Sequence, residues 1–107
     1  MNIDNTKAQM RKGILELCIL ATIHKKDQYA SEILKALKSS ELLVVEGTLY
    51  PLLTRLKNES LLEYRWEESS SGPPRKYYRI TPEGEAFLEQ LQAAWDTLHK
   101  AVQKITQ

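Results

Sequence analysis

The stretch from Glu46 to Ile80, EGTLYPLLTRLKNESLLEYRWEESSSGPPRKYYRI, decides how this chain folds. Its first part spaces leucines at i, i+3, i+4 and i+7, which is the pattern of one apolar helix face. Those residues are Leu49, Leu52, Leu53 and Leu56. The part that follows alternates apolar and charged residues, as a strand with one buried face does. Its apolar members are Leu62, Tyr64 and Trp66. We expect a helix and a two-stranded hairpin, with residues 69–74 forming the turn and residues 75–80 the returning strand.

The polar side of the predicted helix differs from an ordinary solvated surface, which would usually carry carboxylates. It presents Gly47, Pro51, Thr54 and Asn58, flanked by Tyr50, Arg55 and Lys57. Small residues, hydroxyls, an amide and cations suit contact with phosphates and base edges. The hairpin then supplies Arg75 and Lys76 directly after its turn. A helix followed by a basic hairpin predicts a winged helix-turn-helix DNA-binding domain.

Two further helices are predicted before this stretch. Residues 5–25 are apolar nearly all round from Ile14 onward, which indicates one long helix buried on more than one side. Asp27 is a candidate cap for a second helix from Gln28 to about Leu37. Residues 42–45 are expected to form a short strand or an extended linker.

Pro51 constrains where the third helix begins. Inside a helix its ring would clash with the carbonyl of Gly47 and remove a hydrogen bond. We therefore expect regular helix only from about Thr48, which keeps Pro51 within the first turn.

The last helix has a clear start and a regular apolar seam. Thr81 is a good N-cap, and Pro82 and Glu83 suit the first turn of a helix that runs to about Ile105. The seam follows the 3-4-3-4-3 spacing of a coiled coil. It consists of Leu88, Leu91, Trp95, Leu98, Val102 and Ile105. We expect it to pair with the first helix and with a second copy of itself, which would make the protein a homodimer.

These elements predict a mainly α fold with a small β-hairpin, in the α+β class. Residues 1–81 would form the winged helix-turn-helix domain and residues 82–107 the dimerisation helix. At 107 residues, with 42% hydrophobic and 27% charged residues, the chain has the composition of one globular domain. No apolar run is long enough to cross a membrane and no signal peptide is indicated. The single cysteine, Cys18, fits a reducing compartment, so a cytoplasmic location is expected.

The net charge of +1 is low for a nucleic-acid binder, but the charge is unevenly distributed. Residues 72–79 hold three cations and no anion, and Lys7, Arg11 and Lys12 form a second cluster. The hairpin cations either bind phosphate or protect a strand edge against aggregation. The second cluster either contacts DNA or faces solvent.

Enzymatic and metal-dependent functions have little support in the sequence. A glycine-rich phosphate loop, a nucleophile elbow and an HExxH motif are all missing, and the two histidines lie far apart. We therefore predict no enzymatic activity and no cofactor. Asp96 and His99, spaced i, i+3, are a weak alternative as metal ligands across a dimer. Cys18 is interpreted as a small buried hydrophobe, and Trp66 as an aromatic that packs on the domain.

Two motifs resemble the PadR family of bacterial transcriptional regulators. They are VEGTLYPLLTRL at 45–56 and GPPRKYYRIT at 72–81. QMRKGILELCILATI at 9–23 and YASEILKAL at 29–37 are similar to the first two helices of that family, so the resemblance covers nearly the whole chain. The short C-terminal helix resembles the small subgroup, which has one dimerising helix after the wing.

The resemblance implies a winged helix-turn-helix dimer that represses genes by binding operator DNA. By motif match, Thr48, Leu49, Tyr50 and Pro51 would begin the recognition helix. Arg75 and Lys76 would be the wing cations. Trp95 lies where some drug-sensing members stack a flat aromatic ligand between subunits, so a planar effector is a further expectation. Its seam position also fits plain interface packing.

Within the recognition helix, Leu49 is expected in the core, and Tyr50, Thr54, Arg55 and Asn58 are expected to contact DNA. The alternative function is a winged-helix module that binds a protein partner and no DNA. The near-neutral charge favours this alternative, whereas the polar helix face and the basic hairpin favour DNA.

Overall fold

The computed structural model describes all residues, Met1–Gln107. Five helices and three strands follow one another along the chain. They are α1 (Ile3–Lys12), α2 (Leu15–Lys25), β1 (Gln28–Tyr29), α3 (Ala30–Ser39), α4 (Glu46–Asn58), β2 (Leu62–Ser69), β3 (Gly72–Ile80) and α5 (Pro82–Thr106). The strands form one antiparallel sheet in the order β1-β3-β2. This arrangement confirms the predicted α+β fold of helices with a small hairpin.

A single hydrophobic core lies between α2, α3, α4 and the base of the hairpin. The predicted apolar face of α4 is confirmed, because Leu49, Leu53 and Leu56 are at most 2% exposed. Each such burial contributes about 1.5–3 kcal/mol of transfer free energy. The other core residues are Leu15, Ile19, Leu20, Ile23, Ala30, Ile33, Leu37, Leu62 and Tyr78. The recognition-helix candidate is therefore fixed by one side only, and its polar side is left free.

The prediction of one helix over residues 5–25 is wrong. The chain breaks at Gly13 and Ile14, where the N–H of Ile14 donates to the carbonyl of Arg11 at 3.0 Å. Glycine loses more backbone entropy in a helix than any other residue, which favours a break there. The long apolar run belongs to α2 alone, and α1 has no buried residue.

The predicted start of the second helix at Gln28 is also wrong. Gln28 and Tyr29 form β1 and pair with Tyr78 and Tyr77 of β3. Helix α3 begins only at Ala30, and the N–H of Tyr29 donates to the Glu32 carboxylate at 3.2 Å. A two-residue strand has no periodicity of its own. Its pairing with a strand some fifty residues further on could not be found from local sequence.

Asp27 does not cap α3 as predicted. Its Oδ2 accepts a hydrogen bond from Nη1 of Arg65 at 2.5 Å, which ties the end of α2 to the hairpin. This bond, with the nearby Glu67 carboxylate, raises the pKa of the Arg65 guanidinium. The chain here is extended before α3, so the carboxylate lies beside the sheet and not over the helix N-terminus.

Helices α3 and α4 end in the same way. Glu41 and Ser60 adopt left-handed conformations, with φ of 65° and 64°. In each case the next residue donates its N–H to a carbonyl five residues earlier, Leu42 to Leu37 and Leu61 to Leu56. These are Schellman caps with their accompanying apolar contacts. Between the helices, residues 42–45 form an extended linker and not a strand, so the second of the two predicted alternatives is confirmed.

The expectation that regular helix begins at Thr48 is wrong, because α4 starts at Glu46. Pro51 therefore lies inside the helix and leaves the carbonyl of Gly47 without its helical donor. Gly47 is exposed and has open space around it, so solvent can reach this end of the helix. The cost of the proline is small where the freed carbonyl faces water.

The hairpin turn is tighter than predicted. Strand β3 already begins at Gly72 and includes Pro73 and Pro74, with a register irregularity between Glu67 and Ser69. Prolines are tolerated here because β1 pairs with β3 only at residues 77 and 78. One of the two consecutive prolines thus lacks its N–H toward the open edge of the sheet, and the other toward the stretch of β2 where the register is irregular.

The buried face predicted for β2 holds only at its base. Leu62 is buried, but Tyr64 is 38% and Trp66 is 62% exposed. The prediction that Trp66 packs on the domain is therefore wrong. The hairpin extends beyond the helices, so no core is available at the level of Trp66.

Helix α5 is anchored at one end and exposed at the other. The Thr81 N-cap is confirmed: its Oγ1 accepts from the N–H of Gly84 at 2.9 Å and donates to the carbonyl of Ser60 at 2.7 Å. Phe87, Leu88 and Leu91 pack against the core, where α5 contacts α2. The seam beyond them is uncovered, with exposures of 38% for Trp95, 57% for Leu98, 49% for Val102 and 81% for Ile105. None of the helices combines the length and apolarity needed to span a bilayer.

Candidate nucleic-acid interface

The polar side of α4 and the adjacent face of the hairpin enclose a concave surface. We call it the wing groove. Its main hollow, of about 450 Å³, is lined by Tyr29, Ala30, Ser31, Tyr50, Thr54, Trp66, Pro74, Arg75, Lys76 and Tyr78. A second hollow of about 130 Å³ shares several of these residues and adds Lys57, Asn58 and Tyr64. The groove therefore joins the N-terminus of α3, the outer side of α4 and the wing.

Helix geometry explains which α4 residues reach the groove. Tyr50, Thr54 and Asn58 are spaced i, i+4 and i+8, and so form one line along the helix. All three are exposed, with Tyr50 at 49%. The buried leucines on the opposite side fix the rotation of α4, and this fixes the direction of the polar line. The structure thus brings together three of the predicted site residues.

Arg75 and Lys76 both line the groove but lie on opposite faces of the hairpin. The register places Lys76 opposite Trp66 and Arg75 opposite Glu67, and successive side chains of a strand alternate in direction. Nζ of Lys76 lies 4.4 Å from the ring centroid of Tyr64 and 5.3 Å from that of Trp66. Cζ of Arg75 lies 4.5 Å from the ring centroid of Tyr29. The two cations are therefore held by separate aromatic surfaces.

Tyr78 forms the floor of the groove. It is 5% exposed, and its ring lies 5.9 Å from that of Tyr64. Burial, followed by the nearby phenols of Tyr50 and Tyr64, raises the pKa of Tyr78 above its ordinary value. Its hydroxyl is therefore neutral at physiological pH and can donate a hydrogen bond at the base of a cationic groove.

Three other predicted residues of α4 lie outside the wing groove. Arg55 pairs with Glu16 of α2, in a hollow on the side of α5. Thr48 is half-buried and lines a separate hollow of about 290 Å³ with Arg11 and Lys12 of α1. Pro51 is exposed on the outer surface of α4. The second basic cluster thus lies beside the start of α4, away from the wing.

Trp95 lies on α5, apart from the wing groove. It stacks on His99 of the next turn, with ring centroids 5.4 Å apart and planes inclined by 29°. Asp96 accepts a hydrogen bond from Gln92 at 3.3 Å. The chain contains no group of three or more histidine, cysteine, aspartate or glutamate side chains arranged to hold a metal ion.

Two other polar residues are engaged elsewhere. Nδ1 of His24, at the end of α2, pairs with the Glu85 carboxylate at 2.7 Å. Cys18 is only partly buried, less than predicted, although this burial raises the pKa of its thiol.

Several groove residues were not predicted from the sequence. They are Tyr29, Ser31, Tyr64, Trp66 and Tyr78. Strand alternation already indicated that Tyr64 and Trp66 share a face. A regular two-residue turn would have placed Arg75 opposite Trp66, and only the register irregularity between Glu67 and Ser69 places Lys76 there. The assumed turn over residues 69–74 concealed the register. The contribution of Tyr29 depends on β1, which has no local sequence signature.

Comparisons with known proteins agree with this geometry. Residues 19–90 match the model of the transcriptional regulator PadR-like family. A PadR-like transcription factor from Bacteroides fragilis is 58% identical, with a TM-score of 0.79 over 94% of this chain and 98% of its own. A PadR family transcriptional regulator from Eggerthella lenta is 31% identical, with a TM-score of 0.90 over 98% and 92%. An uncharacterized protein from Lysinibacillus sphaericus is 34% identical over 92 residues, which are 83% of this chain and 84% of that protein.

The family match spans α2 through the wing into α5, and the structural matches extend over nearly the whole chain. The family match therefore includes both sequence motifs on which the resemblance was based. The family consists of transcriptional regulators and not of enzymes. This chain is a member of the PadR-like family of transcriptional regulators.

Proposed function

We propose that this protein is a homodimeric, sequence-specific DNA-binding repressor. The wing groove carries the proposal, because the polar face of α4 borders it together with Arg75 and Lys76 of the hairpin. Helix α4 would enter the major groove, with Tyr50, Thr54 and Asn58 turned toward base edges. Arg75 and Lys76 would bind phosphates or the minor groove beside it. Arg55 would join them only by leaving Glu16, and Thr48 and Pro51 would approach DNA from the start of the helix.

The distribution of charge is compatible with this role despite a net charge of +1. Arg75 and Lys76 form no ion pair, since the paired cations of the chain are His24, Arg55 and Arg65. Unpaired cations remain available to displace counterions from phosphates. Two copies acting together would double this local charge and offset the weak overall attraction.

Dimerisation through α5 would provide the two recognition helices that a repressor of this kind needs. Its seam from Trp95 to Ile105 is exposed in a single chain, and a large apolar stripe in water favours association. Residues 82–107 would then form the dimerisation unit and residues 1–81 the DNA-binding domain, with α2 supporting the base of α5. A two-fold dimer would present two α4 helices to half-sites about one helical turn apart.

A planar aromatic effector at the dimer interface would provide regulation. Trp95 already stacks on the flat ring of His99, so its face accepts a planar neighbour. A ligand held between two copies of Trp95 would change the separation of the two α4 helices and thus the affinity for the operator.

Fluorescence anisotropy with DNA from upstream of the protein's own gene, a scrambled duplex and two salt concentrations tests the proposal. We expect tighter binding to the upstream duplex and steep weakening with salt. Lys76→Ala should reduce the log–log salt slope by about 0.9 for each phosphate that the lysine neutralises in the wild type. Lys100→Ala, which removes a cation from α5, is the matched control and should leave the slope unchanged. Equal binding of both duplexes, unaffected by Lys76→Ala, would refute sequence reading through the wing groove.

A protein-interaction module is the second candidate, favoured by the near-neutral charge. Replacing Arg75 and Lys76 by Ala together should abolish DNA binding if the protein is a regulator of the proposed type. The same change would leave partner binding intact if DNA is not the target.

The effector is tested separately in a Trp66→Phe background, where Trp95 is the only tryptophan emitter. Planar aromatic compounds should quench its emission. A panel that leaves the emission unchanged would remove the support for an interface pocket.

A further inference from the structure

The exposed end of the hairpin carries two aromatic rings that are not buried in the core. Trp66 is 62% exposed, and Tyr64 is 38% exposed. Their ring centroids are 6.2 Å apart with planes inclined by 87°, an edge-to-face arrangement. The two rings together form an exposed aromatic patch, and such patches often mark interaction surfaces.

Both rings contact Lys76 of the opposite strand. Nζ of Lys76 is 4.4 Å from the Tyr64 centroid and 5.3 Å from the Trp66 centroid, within the range of a cation–π interaction. The same Tyr64 ring lies 5.8 Å from Nζ of Lys57, which comes from the last turn of α4. One aromatic surface therefore gathers a cation from the wing and a cation from the helix.

This pair of lysines has no anionic partner within the chain. The ion pairs of the structure involve His24, Arg55 and Arg65, and neither Lys57 nor Lys76. Two ammonium groups beside one ring repel each other, and an anion between them would remove the repulsion. The small hollow that both line also contains the side chains of Thr54 and Asn58, which can donate hydrogen bonds to a phosphate oxygen.

We propose that Tyr64 and Trp66 are positioning residues for DNA binding, holding Lys76 and Lys57 as a pair that binds one backbone phosphate between wing and helix. This inference rests on the proposed DNA-binding function. A free lysine side chain loses much rotamer freedom when it binds, and the aromatic rings restrict that freedom beforehand. The rings act through the lysines and do not contact the DNA themselves.

A double-mutant cycle on the affinity for the upstream duplex tests this role. Trp66→Ala should weaken binding by about two- to fivefold, the effect of removing one exposed cation–π interaction. Trp66→Phe, the matched control, keeps an aromatic face and should stay within about twofold of wild type. In the Lys76→Ala background, Trp66→Ala should have no further effect, because the residue that it positions is gone.

Two outcomes of the cycle overturn the inference. If Trp66→Ala binds as tightly as wild type, the rings do not position Lys76. If the weakening by Trp66→Ala persists in full in the Lys76→Ala background, the indole contacts DNA directly. Because Trp66 is exposed, the thermal unfolding of Trp66→Ala should match that of wild type, which separates a positioning effect from misfolding.

A measurement without DNA distinguishes failure of the inference from failure of the proposed function. Ring currents should shift the side-chain CH₂ proton resonances of Lys76 upfield in the free protein, and Trp66→Ala should move them toward unshifted values. If wild type binds no duplex while this shift is present, the DNA-binding function fails and the positioning contact stands. If the resonances do not move in Trp66→Ala, the positioning contact itself is refuted.

Discussion

Helices α4 and α5 have similar spacing of apolar residues, but the apolar face is buried in α4 and largely exposed in α5. In α4 the leucine face is closed by α2, α3 and the sheet, and Leu49 and Leu53 are fully buried. In α5 only the first three turns meet the core, and the stripe from Trp95 to Ile105 stays in solvent. A periodic apolar stripe therefore predicts that a helix needs a packing partner but does not identify that partner. In α4 the apolar face packs against other elements of the same chain. For α5 we propose that it packs against a second copy of the protein.

The largest expected difference between the two helices concerns leucine truncation. Leu53→Ala should lower the free energy of unfolding by about 2–5 kcal/mol, through the reduced transfer free energy and a residual cavity. Leu98→Ala, the matched change in the exposed stripe, should act mainly on self-association. Chemical denaturation at several protein concentrations separates the two effects. A destabilisation by Leu98→Ala that is large and independent of concentration would contradict the proposed dimer seam.

Glycine substitutions offer a second contrast. A Cβ at Gly84 in α5 would lie 2.1 Å from the carbonyl oxygen of Leu61 and 2.7 Å from Cγ1 of Ile80. We expect Gly84→Ala to destabilise the protein by about 1–3 kcal/mol, because backbone must move to admit the methyl group. Gly47→Ala in α4 meets open space and should stabilise by up to about 1 kcal/mol. Thermal denaturation of both variants checks the opposite signs, and equal effects would contradict the close approach at Gly84.

The N-termini of α4 and α5 also differ in their capping. Thr81 caps α5 with two side-chain hydrogen bonds, whereas Val45 at the start of α4 makes none. Thr81→Ala should cost about 0.5–2 kcal/mol of unfolding free energy. Val45→Ser should stabilise α4 by a few tenths of a kcal/mol up to about 1. Equilibrium urea unfolding measures both changes. An unchanged midpoint for Thr81→Ala would show that the cap does not secure α5.

The smallest expected effect concerns pH at the contact between α4 and the hairpin. Because burial raises the pKa of Tyr78, the folded protein holds a proton that the unfolded chain releases near pH 10.0. Its contribution to stability is present below that pH and disappears as pH rises through the higher folded-state pKa. Tyr78→Phe should therefore show a shallower fall of melting temperature between about pH 9.5 and 11. Tyr77→Phe, at the half-exposed neighbour in the same strand, is the control for the loss of a tyrosine hydroxyl.

Much of the candidate site could be predicted because it depends on short-range rules. The leucine spacing of α4 set which residues would be buried, and so left Tyr50, Thr54 and Asn58 on the free side. The Thr81-Pro82-Glu83 sequence marked the start of α5. The roles of Thr48, Pro51 and Arg55, of the wing cations and of Trp95 remain predictions, as does dimerisation. Arg55 illustrates the difficulty, because its partner Glu16 lies on another helix.

Two of the errors share one cause, whereas the break at Gly13 has a local signal in the glycine itself. Strand β1 and the early start of β3 depend on what lies across from the segment, and not on its own residues. β1 pairs with a strand far along the chain, and Pro73 and Pro74 lie where β1 has ended and the β2–β3 register is irregular. No window of local sequence contains that information.

The sequence by itself determined the helices of the core, the hairpin, the cap of α5 and the two regulator-family motifs, because periodicity and capping act within a few residues. Packing of the whole chain set which face of the hairpin Arg75 and Lys76 each take, and it left Tyr64 and Trp66 in solvent beside Lys57 and Lys76. Those relations depend on strand register and on where the core ends. Both are set by contacts between segments distant in the chain, so they emerge only when the whole chain has packed.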